Sequence, residues 1–331
     1  MSALFELVDF GVQIGTRRGT AHIVNGVDWR VQAGETLAIV GESGSGKSMS
    51  VLAATGLVPS PPARFSGQAL FRERDLLTME DRERRRVRGR HIGFVFQEPM
   101  TSLNPLLTIG RQMTEAPRQH LDMPSGEARD KAADLLNLVG IPEAAQRLDA
   151  YPHQLSGGMR QRVMIAMALM CDPEVLIADE PTTALDVTTQ AQILDLVTRL
   201  QSQFGMAVVW ITHDLGVVAD FADQVAVMYA GRIVELAPTS ALYRTPGHPY
   251  TRGLLDARPR LGETEAELAT IPGVPPDPRR LPPGCSFWPR CPYREDPRCE
   301  TEVPPLREVA PGHLVRSFYS ITQRAPRDQE A

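Results

Sequence analysis

The stretch Gly41-Glu-Ser-Gly-Ser-Gly46-Lys47-Ser48 directly follows the apolar run Thr36-Leu-Ala-Ile-Val40. The apolar run predicts a buried strand and Lys47 begins a predicted helix, so the glycines form a tight turn between the two. Such a turn directs backbone N–H groups and the positive end of the helix toward one space, which favours phosphate. A chance glycine turn is the alternative, but it does not account for the flanking strand and helix.

The polar side chains of this phosphate turn (Gly41–Ser48) have expected roles. Lys47 is placed to reach the β- and γ-phosphates of a nucleotide, and the Ser48 hydroxyl is placed to complete a Mg²⁺ shell. The other residues expected to bind phosphate are Gly41, Ser43, Gly44, Ser45 and Gly46.

Two adjacent acids follow a second apolar run, Val175-Leu-Ile-Ala178. A buried parallel strand is apolar on both faces, so acids at its end lie at the carboxyl edge of the sheet, where ligands bind. We expect Asp179 to hold Mg²⁺, directly or through water, and Glu180 to polarise the attacking water. A pair of helix-start acids before Pro181 is the alternative, and it leaves the upstream phosphate turn unexplained.

Two further polar residues follow predicted strands. Gln97 ends the strand His91–Phe96, and His213 follows Val208–Ile211. Either residue alone would be interpreted as structural. Because several strand ends deliver polar groups to one edge, we expect Gln97 to contact Mg²⁺ or the attacking water and His213 to contact the γ-phosphate.

Composition restricts the class of protein. The 331 residues suffice for one α/β domain and a substantial extra piece, and the net charge of −5 provides no global basic field for nucleic acid. The arginine-rich run 82–90 favours a solvated helix face over a nucleic-acid or lipid-headgroup patch. The N-terminus lacks the pattern of a signal peptide, and no apolar stretch is long enough to span a bilayer, so we expect a cytoplasmic chain.

The chain divides into segments of different character. Residues 4–40 predict short antiparallel strands broken by glycines, and residues 105–170 predict an inserted helical subdomain. Strands and helices then alternate, as in a parallel sheet. The further predicted strands are an edge strand at Gly67–Phe71, the strand Met206–Ile211 and a terminal hairpin of Val225–Met228 and Arg232–Glu235. Prolines accumulate from about residue 257, so we expect domains at 1–256 and 257–331.

Three of the four cysteines, Cys285, Cys291 and Cys299, lie close together in the proline-rich segment. In a reducing compartment such clustering favours metal or cluster ligation over disulfides. The remaining one, Cys171, is expected to be a small core residue.

The motifs occur in a familiar order: the phosphate turn, Gln97, Leu155-Ser156-Gly157-Gly158, Asp179-Glu180, Ala184-Leu-Asp186 and His213. The chain from residue 1 to about 256 thereby resembles the nucleotide-binding subunits of ABC (ATP-binding cassette) transporters. The resemblance implies an α/β fold: a P-loop ATPase core with an antiparallel β lead-in, an inserted helical subdomain and, here, a small Pro/Cys-rich C-terminal appendage. ATP and Mg²⁺ are the implied cofactors.

In this family two cassettes face head to tail. The resemblance implies that Leu155, Ser156, Gly157 and Gly158 of one cassette contact the γ-phosphate held by the other, and that Asp186 lies in the D-loop at the dimer interface. A glycine-rich helix start suits an anion. A helix-capping serine before two glycines is the alternative for this segment.

Longer motifs narrow the resemblance to the oligopeptide/dipeptide/nickel importer branch and extend it to nearly the whole chain. They are Phe96–Pro105, Tyr151–Gln154, His248–Thr251 and the stretch from Gly284 to Pro292. The branch implies a heterodimer of two related ATPases beneath two membrane permease subunits, fed by an external solute-binding protein. No nucleic acid is implied, and the chain is expected at the cytoplasmic face of the inner membrane as a peripheral subunit.

Two positions depart from the family pattern. Ile14 occupies the position where an aromatic residue often stacks on adenine, so it would provide only an apolar contact. Some members have a fourth cysteine after a Gly-His pair, whereas here Gly312-His313 is followed by Ser317. The three cysteines therefore leave three alternatives: an iron-sulfur cluster with a non-cysteine or open fourth site, zinc with His313, or a metal-free unit.

The leading hypothesis is an ATP-hydrolysing subunit that powers import of peptides or a related small solute. One alternative is a soluble, non-transport ABC ATPase that acts on nucleic acid or ribosomes. Another is a cassette regulated by a C-terminal metal or redox sensor. A simple P-loop kinase is disfavoured because it would not need the Leu155–Gly158 motif.

Overall fold

A computed structural model describes residues 3–98, 102–183, 185–257, 270–319 and 321. The chain forms two compact units. The first comprises Thr78–Thr212 with the short segments up to Phe5 and Val31–Thr36, and the second comprises Glu6–Arg30, Leu37–Leu77 and the chain from His213 onward. The predicted boundary at residue 257 adjoins residues 258–269, which lie outside the described residues, and the division into 1–256 and 257–331 stays a prediction.

The strands, in chain order, are β1 (Phe5–Thr16), β2 (Gly19–Val31), β3 (Thr36–Val40), β4 (Ala63–Phe71), β5 (Arg74–Asp75), β6 (Ile92–Val95), β7 (Val175–Asp179), β8 (Ala207–Thr212), β9 (Gln224–Tyr229), β10 (Arg232–Pro238), β11 (Leu306–Ala310) and β12 (His313–Arg316). The α-helices are α1 (Lys47–Ala54), α2 (Asp81–Arg90), α3 (Ile109–His120), α4 (Ser125–Leu138), α5 (Ala144–Arg147), α6 (Gly157–Leu169), α7 (Val187–Phe204), α8 (Leu215–Val218), α9 (Thr239–Arg244), α10 (Pro249–Asp256) and α11 (Arg298–Thr301). Short 3₁₀ turns lie at Pro152–Gln154 and Trp288–Arg290.

The first unit contains three parallel strands in the order β6, β7, β8. Every residue of β7 and β8 is buried, which is why both read as continuous apolar runs rather than as alternating patterns. The strands predicted at 91–96, 175–178 and 206–211 are confirmed. Their parallel arrangement brings the residues that follow β6 and β7 to the same edge.

Helices fill the predicted 105–170 region of the first unit. Thr108 caps α3 by accepting a hydrogen bond from the backbone N–H of Arg111, and α4 packs against α3 and α6. Ala132 and Leu136 of α4 are fully buried, as the helical periodicity predicts. Leu138 is an exception, because it lies at the end of the helix and is partly exposed.

The lead-in sheet of the second unit has the strand order β2, β1, β4, β5. Its strands β1 and β2 are 12 and 13 residues long, so the prediction of short strands was wrong. Gly11 lies within β1 and does not end the strand. A Cβ at this position would collide with Ser66 Oγ, so the glycine permits close packing there. The predicted edge strand Gly67–Phe71 is part of β4 and lies between β1 and β5.

A second sheet in this unit begins with β3, which pairs in parallel with β9. The predicted hairpin is confirmed, since β9 and β10 pair antiparallel. The C-terminal strands were not predicted: β12 pairs antiparallel with β10, and β11 pairs with β12. The proline-rich segment therefore includes two strands that extend the sheet.

A buried carboxylate fastens the C-terminal strands to this sheet. Glu235 of β10 is fully buried and accepts hydrogen bonds from the backbone N–H groups of Gly247 and His248 at 2.7 and 2.8 Å. Its Oε1 also lies 2.7 Å from Nε2 of His313 in β12. A buried carboxylate is tolerated only when it is paired in this way, so the three contacts hold these elements together.

Across the described ranges, none of the helices combines the length and the apolar character needed to cross a lipid bilayer.

Candidate functional site

The phosphate turn connects β3 to α1 and requires glycine at two positions. Gly41 has φ 153° and Gly46 has φ 101°. A Cβ at Gly41 would collide with the carbonyl oxygen of Met228, and one at Gly46 would lie 2.6 Å from that of Ile23. No side chain caps α1, which begins at Lys47, so the start of this helix is suited to an anion.

Lys47 and Ser45 line this turn and are both at least nine-tenths buried. The Nζ of Lys47 donates to the carbonyl oxygens of Gly41 and Glu42 at 2.8 and 3.0 Å. The Oγ of Ser45 is buried with no hydrogen-bond partner among the described residues. Because an unpaired buried hydroxyl costs about 1–3 kcal/mol, the turn fits a phosphate oxygen that would accept from it. Ser48 lies in the first turn of α1.

In the first unit, Glu180 follows β7 in the left-handed region of backbone space, with φ 45°. Its Oε2 lies 3.4 Å from Nε2 of Gln97 and accepts a hydrogen bond from Oγ1 of Thr183 at 2.8 Å. The structure thus brings Gln97 and Glu180 together, while Asp179 is buried at the end of the strand. Sequence reasoning missed Thr183, although a hydroxyl three residues after the glutamate was a usable signal.

The Leu155–Gly158 motif begins α6. Leu155 is buried, and Ser156 caps the helix by accepting a hydrogen bond from the N–H of Met159 at 3.3 Å. Ser156 and Gly157 are exposed, and a Cβ built at Gly157 would meet no atom within 4 Å. The helix-capping interpretation therefore holds for Ser156 within this chain, and the glycine beside it leaves open surface for another molecule.

Asp186 caps the next helix, α7. Its carboxylate accepts hydrogen bonds from the N–H and Oγ1 of Thr189 at 2.9 and 2.7 Å. The backbone hydrogen bond from Thr189 lowers the pKa of this carboxyl below its usual value. Asp186 is exposed, and Ala184 of the same motif lies outside the described residues. Its role at a dimer interface stays a prediction.

Two predicted site residues belong to the second unit. Ile14 is half-buried in β1, and its contact with adenine stays a prediction. His213 is exposed between β8 and α8, where Asp214 accepts a hydrogen bond from the N–H of Gly216. The helix cap at Asp214 fixes the chain immediately after His213.

The three C-terminal cysteines were the candidates for a metal site. No group of three His, Cys, Asp or Glu side chains could hold a metal ion anywhere in the described part of the chain. Burial raises the pKa of the Cys299 thiol to about 12 and also raises that of Cys285. Cys291 Sγ lies 3.4 Å from the hydroxyl of Tyr319.

The residues considered as a fourth ligand are also engaged. His313 is hydrogen-bonded to Glu235 through Nε2, and Ser317 is buried and accepts a hydrogen bond from the N–H of Tyr319 at 3.2 Å. The prediction for Cys171 is confirmed: it is buried, and burial raises its pKa to about 11.

Comparison with protein families finds two matches. Residues 24–183 match the family described as "ABC transporter". Residues 234–299 match the family described as "Oligopeptide/dipeptide transporter, C-terminal region". The first match contains the phosphate turn and Glu180, and the second contains Cys285, Cys291 and Cys299.

Several curated proteins are similar to nearly the whole chain. The oligopeptide transport ATP-binding protein OppD of Salmonella typhimurium is 48% identical, over 97% of this chain and 95% of its own length. The dipeptide transport ATP-binding protein DppD of Bacillus subtilis is 48% identical, over 100% and 97%. DppD of Escherichia coli is 47% identical, over 96% and 97%. The similarity thus includes the C-terminal segment.

Solved structures match the larger part of the chain. The ATP-binding cassette MJ0796, solved as a dimer in a post-hydrolysis state bound to ADP and Pi, has a TM-score of 0.64 and 29% identity, and it covers 71% of this chain and 98% of its own. CbiO1 of Clostridium perfringens, part of the complex cbiONQ, has a TM-score of 0.62 and 28% identity, with coverages of 73% and 91%.

Proposed function

Because this chain belongs to the ABC transporter family of ATP-binding proteins, in its oligopeptide and dipeptide branch, we propose that it hydrolyses ATP to power peptide import through a membrane permease. The cargo is a dipeptide, an oligopeptide or a related small solute. The observation that carries this proposal is the match of residues 234–299 to the C-terminal region of peptide transporters. It favours transport over the alternative of a non-transport ABC ATPase.

The phosphate turn would bind the ATP phosphates. Backbone N–H groups at the start of α1 and the buried Ser45 hydroxyl supply donors, and Lys47 supplies the positive charge. Mg²⁺ would be held by Ser48, Gln97 and Asp179, and it would neutralise charge on the phosphates.

Glu180 is the proposed general base. Its carboxylate is oriented by the hydroxyl of Thr183 and lies beside the amide of Gln97, so it can accept a proton from water without changing its own position. His213 is proposed to donate a hydrogen bond to the γ-phosphate, where charge develops during hydrolysis.

ABC cassettes dimerise and act with permease subunits, and we propose a heterodimer with a second, related ATPase. The exposed Ser156 and Gly157 suit this arrangement, since they place an unobstructed helix start at the surface. Each cassette would complete the ATP site of the other. A peripheral position at the cytoplasmic face of the membrane, beneath two permease subunits and an external solute-binding protein, is part of the same proposal.

Replacing Gly157 by aspartate tests the role of this surface. We expect the rate of ATP hydrolysis by the assembled transporter to fall at least about tenfold, because the carboxylate would repel the partner's γ-phosphate. The variant should fold normally, since no atom of the chain lies within 4 Å of the new Cβ and an acid suits a helix start. Phosphate release and thermal unfolding provide the two measurements.

Gly126→Asp is the matched control. Gly126 is also an exposed glycine in the first turn of a helix, with open space where a Cβ would lie, but it is outside the motif. We expect this variant to hydrolyse ATP at the unmodified rate. Equal activity of the Gly157 and Gly126 variants would show that Gly157 does not face a nucleotide.

Affinity purification of the chain from detergent-solubilised host membranes tests the transport function. We expect two permease subunits and a second ATPase to co-purify, and deletion of the gene to abolish uptake of labelled di- or oligopeptides. Restoration of uptake by the unmodified gene is the control. Unchanged uptake of every peptide length tested, with no permease recovered, would contradict the proposal.

A further inference from the structure

Glu42, a residue of the phosphate turn, forms contacts through its backbone N–H, its carbonyl oxygen and its carboxylate. Its backbone N–H donates to the hydroxyl of Tyr250 at 2.9 Å, and its carbonyl oxygen accepts from Lys47 Nζ at 3.0 Å. Its carboxylate is bound by Arg290. Tyr250 and Arg290 both follow the hairpin in sequence, so C-terminal elements fix one residue of the turn.

The contact between Arg290 and Glu42 is a two-pronged ion pair. One terminal guanidinium nitrogen of Arg290 lies 2.7 Å from Oε2 and the other lies 3.0 Å from Oε1. The Arg290 side chain is only 5% exposed. The Glu42 side chain is 27% exposed, so the pair is partly buried. A bidentate pair with a buried guanidinium is stronger and more geometrically specific than a surface ion pair.

The remaining donors of the guanidinium are also used. Its Nε donates to the carbonyl oxygen of Pro272 at 2.8 Å, and its other nitrogens donate to the carbonyl oxygen of Ile271 and the hydroxyl of Tyr229. The hydrogen bonds with Glu42 raise the pKa of Arg290, so the side chain stays charged. Arg290 is therefore both permanently cationic and fixed in orientation.

A cluster of packed aromatic rings lies beside Arg290. The ring of Phe287 packs against Tyr229 at 5.3 Å and against Tyr250 at 5.4 Å between centroids. Phe287 is buried and immediately precedes the 3₁₀ turn that contains Arg290. The guanidinium carbon of Arg290 lies 5.7 Å from the centroid of the Tyr229 ring, so this packed cluster borders the Arg290 side chain.

A carboxylate in a phosphate-binding turn creates an electrostatic problem. ATP is strongly anionic, and Glu42 belongs to the turn: its backbone carbonyl oxygen accepts a hydrogen bond from Nζ of Lys47, the cation that is expected to bind the phosphates. Charges closer than the Debye length of about 8–10 Å interact, so an unneutralised carboxylate on this turn would repel the nucleotide. The ion pair with Arg290 neutralises the Glu42 carboxylate.

We propose that Arg290 is a positioning residue for ATP: it neutralises and fixes the Glu42 carboxylate, so that a C-terminal side chain sets the affinity of the phosphate turn for nucleotide. The inference rests on the proposed function, because it requires the turn to bind ATP. Arg290 itself acts through Glu42 rather than on the nucleotide.

The test measures the dissociation constants of the full-length protein for MgATP and ADP. We expect Arg290→Ala to weaken MgATP binding about tenfold, as expected for one uncompensated charge near the phosphates, and to weaken ADP binding less. Adding Glu42→Gln to this variant should return the MgATP constant to within about threefold of the unmodified protein, because it removes the uncompensated charge. Glu42→Gln alone should bind MgATP at least as tightly as the unmodified protein.

Arg298→Ala is the control. Arg298 forms an analogous pair with Asp296 at 2.7 Å but does not contact the turn, so its loss should leave both constants unchanged. Arg290→Lys keeps the charge and covers the case in which Arg290→Ala fails to fold, and it should weaken MgATP binding less than alanine does. Circular dichroism and thermal unfolding accompany each variant.

The outcomes separate the inference from the proposed function. Three results would each overturn the electrostatic role of Arg290. They are equal weakening of ATP and ADP binding, no rescue of MgATP binding by Glu42→Gln in either Arg290 variant, and an unchanged MgATP affinity in Arg290→Ala. Failure of the unmodified protein to bind MgATP would instead overturn the proposed function of the turn.

Discussion

Glu180→Gln is expected to reduce ATP hydrolysis about a thousandfold, since a general base contributes roughly 10²–10⁴ to the rate. The amide oxygen can still accept the hydrogen bond from Thr183, so the side chain keeps its place but can no longer take a proton. ATP binding should be preserved, and the closed dimer should persist because its nucleotide is not consumed. Phosphate release, nucleotide binding and size-exclusion chromatography measure these three properties.

Glu115→Gln is the control for this experiment. Glu115 is an exposed residue of α3 in the same unit, and its replacement should leave hydrolysis unchanged. Hydrolysis by Glu180→Gln at a rate near that of the unmodified protein would remove Glu180 from its proposed role as the general base.

Lys47→Ala is expected to weaken MgATP binding about a hundredfold, which corresponds to about 2.7 kcal/mol. The reason is that Lys47 Nζ, which now donates to two carbonyl oxygens, is the only lysine charge in the turn available to the phosphates. A loss of this size is within the range measured for hydrogen bonds to charged groups. Titration with a fluorescent ATP analogue checks it.

Lys131→Ala is a matched control, because Lys131 is the other lysine of the chain and forms an ion pair with Asp172 at 2.6 Å. Its replacement should not change ATP affinity. Equal affinities of the Lys47 and Lys131 variants would show that the turn does not bind phosphate through Lys47.

The sequence predicted the elements around the phosphate turn because local patterns determine them. A five-residue apolar strand, glycines at 41 and 46 and a helix beginning at Lys47 all agree with the structure. The buried strand before Asp179 was predicted for the same reason, since a strand with both faces covered is apolar throughout.

The C-terminal region could not be predicted in this way. Most of β11 is exposed, so it shows no apolar alternation, and β12 has only four residues. The pair between Arg290 and Glu42 joins residues 248 positions apart, and no local pattern specifies such a contact. The clustering of Cys291 with the other two cysteines predicted metal ligation, but it did not indicate the contacts of the neighbouring Phe287 with Tyr229 and of Arg290 with Glu42.

The long separation between Arg290 and Glu42 has a consequence for synthesis of the chain. A ribosome adds Arg290, whose guanidinium neutralises Glu42, 248 residues after Glu42 itself, and it adds His313, which pairs with Glu235, 78 residues after that glutamate. A nascent chain that ends at residue 256 contains every nucleotide-binding motif, yet in it Glu42 lacks Arg290 and Glu235 lacks His313. The phosphate turn therefore reaches its final set of contacts long after its own residues have been synthesised.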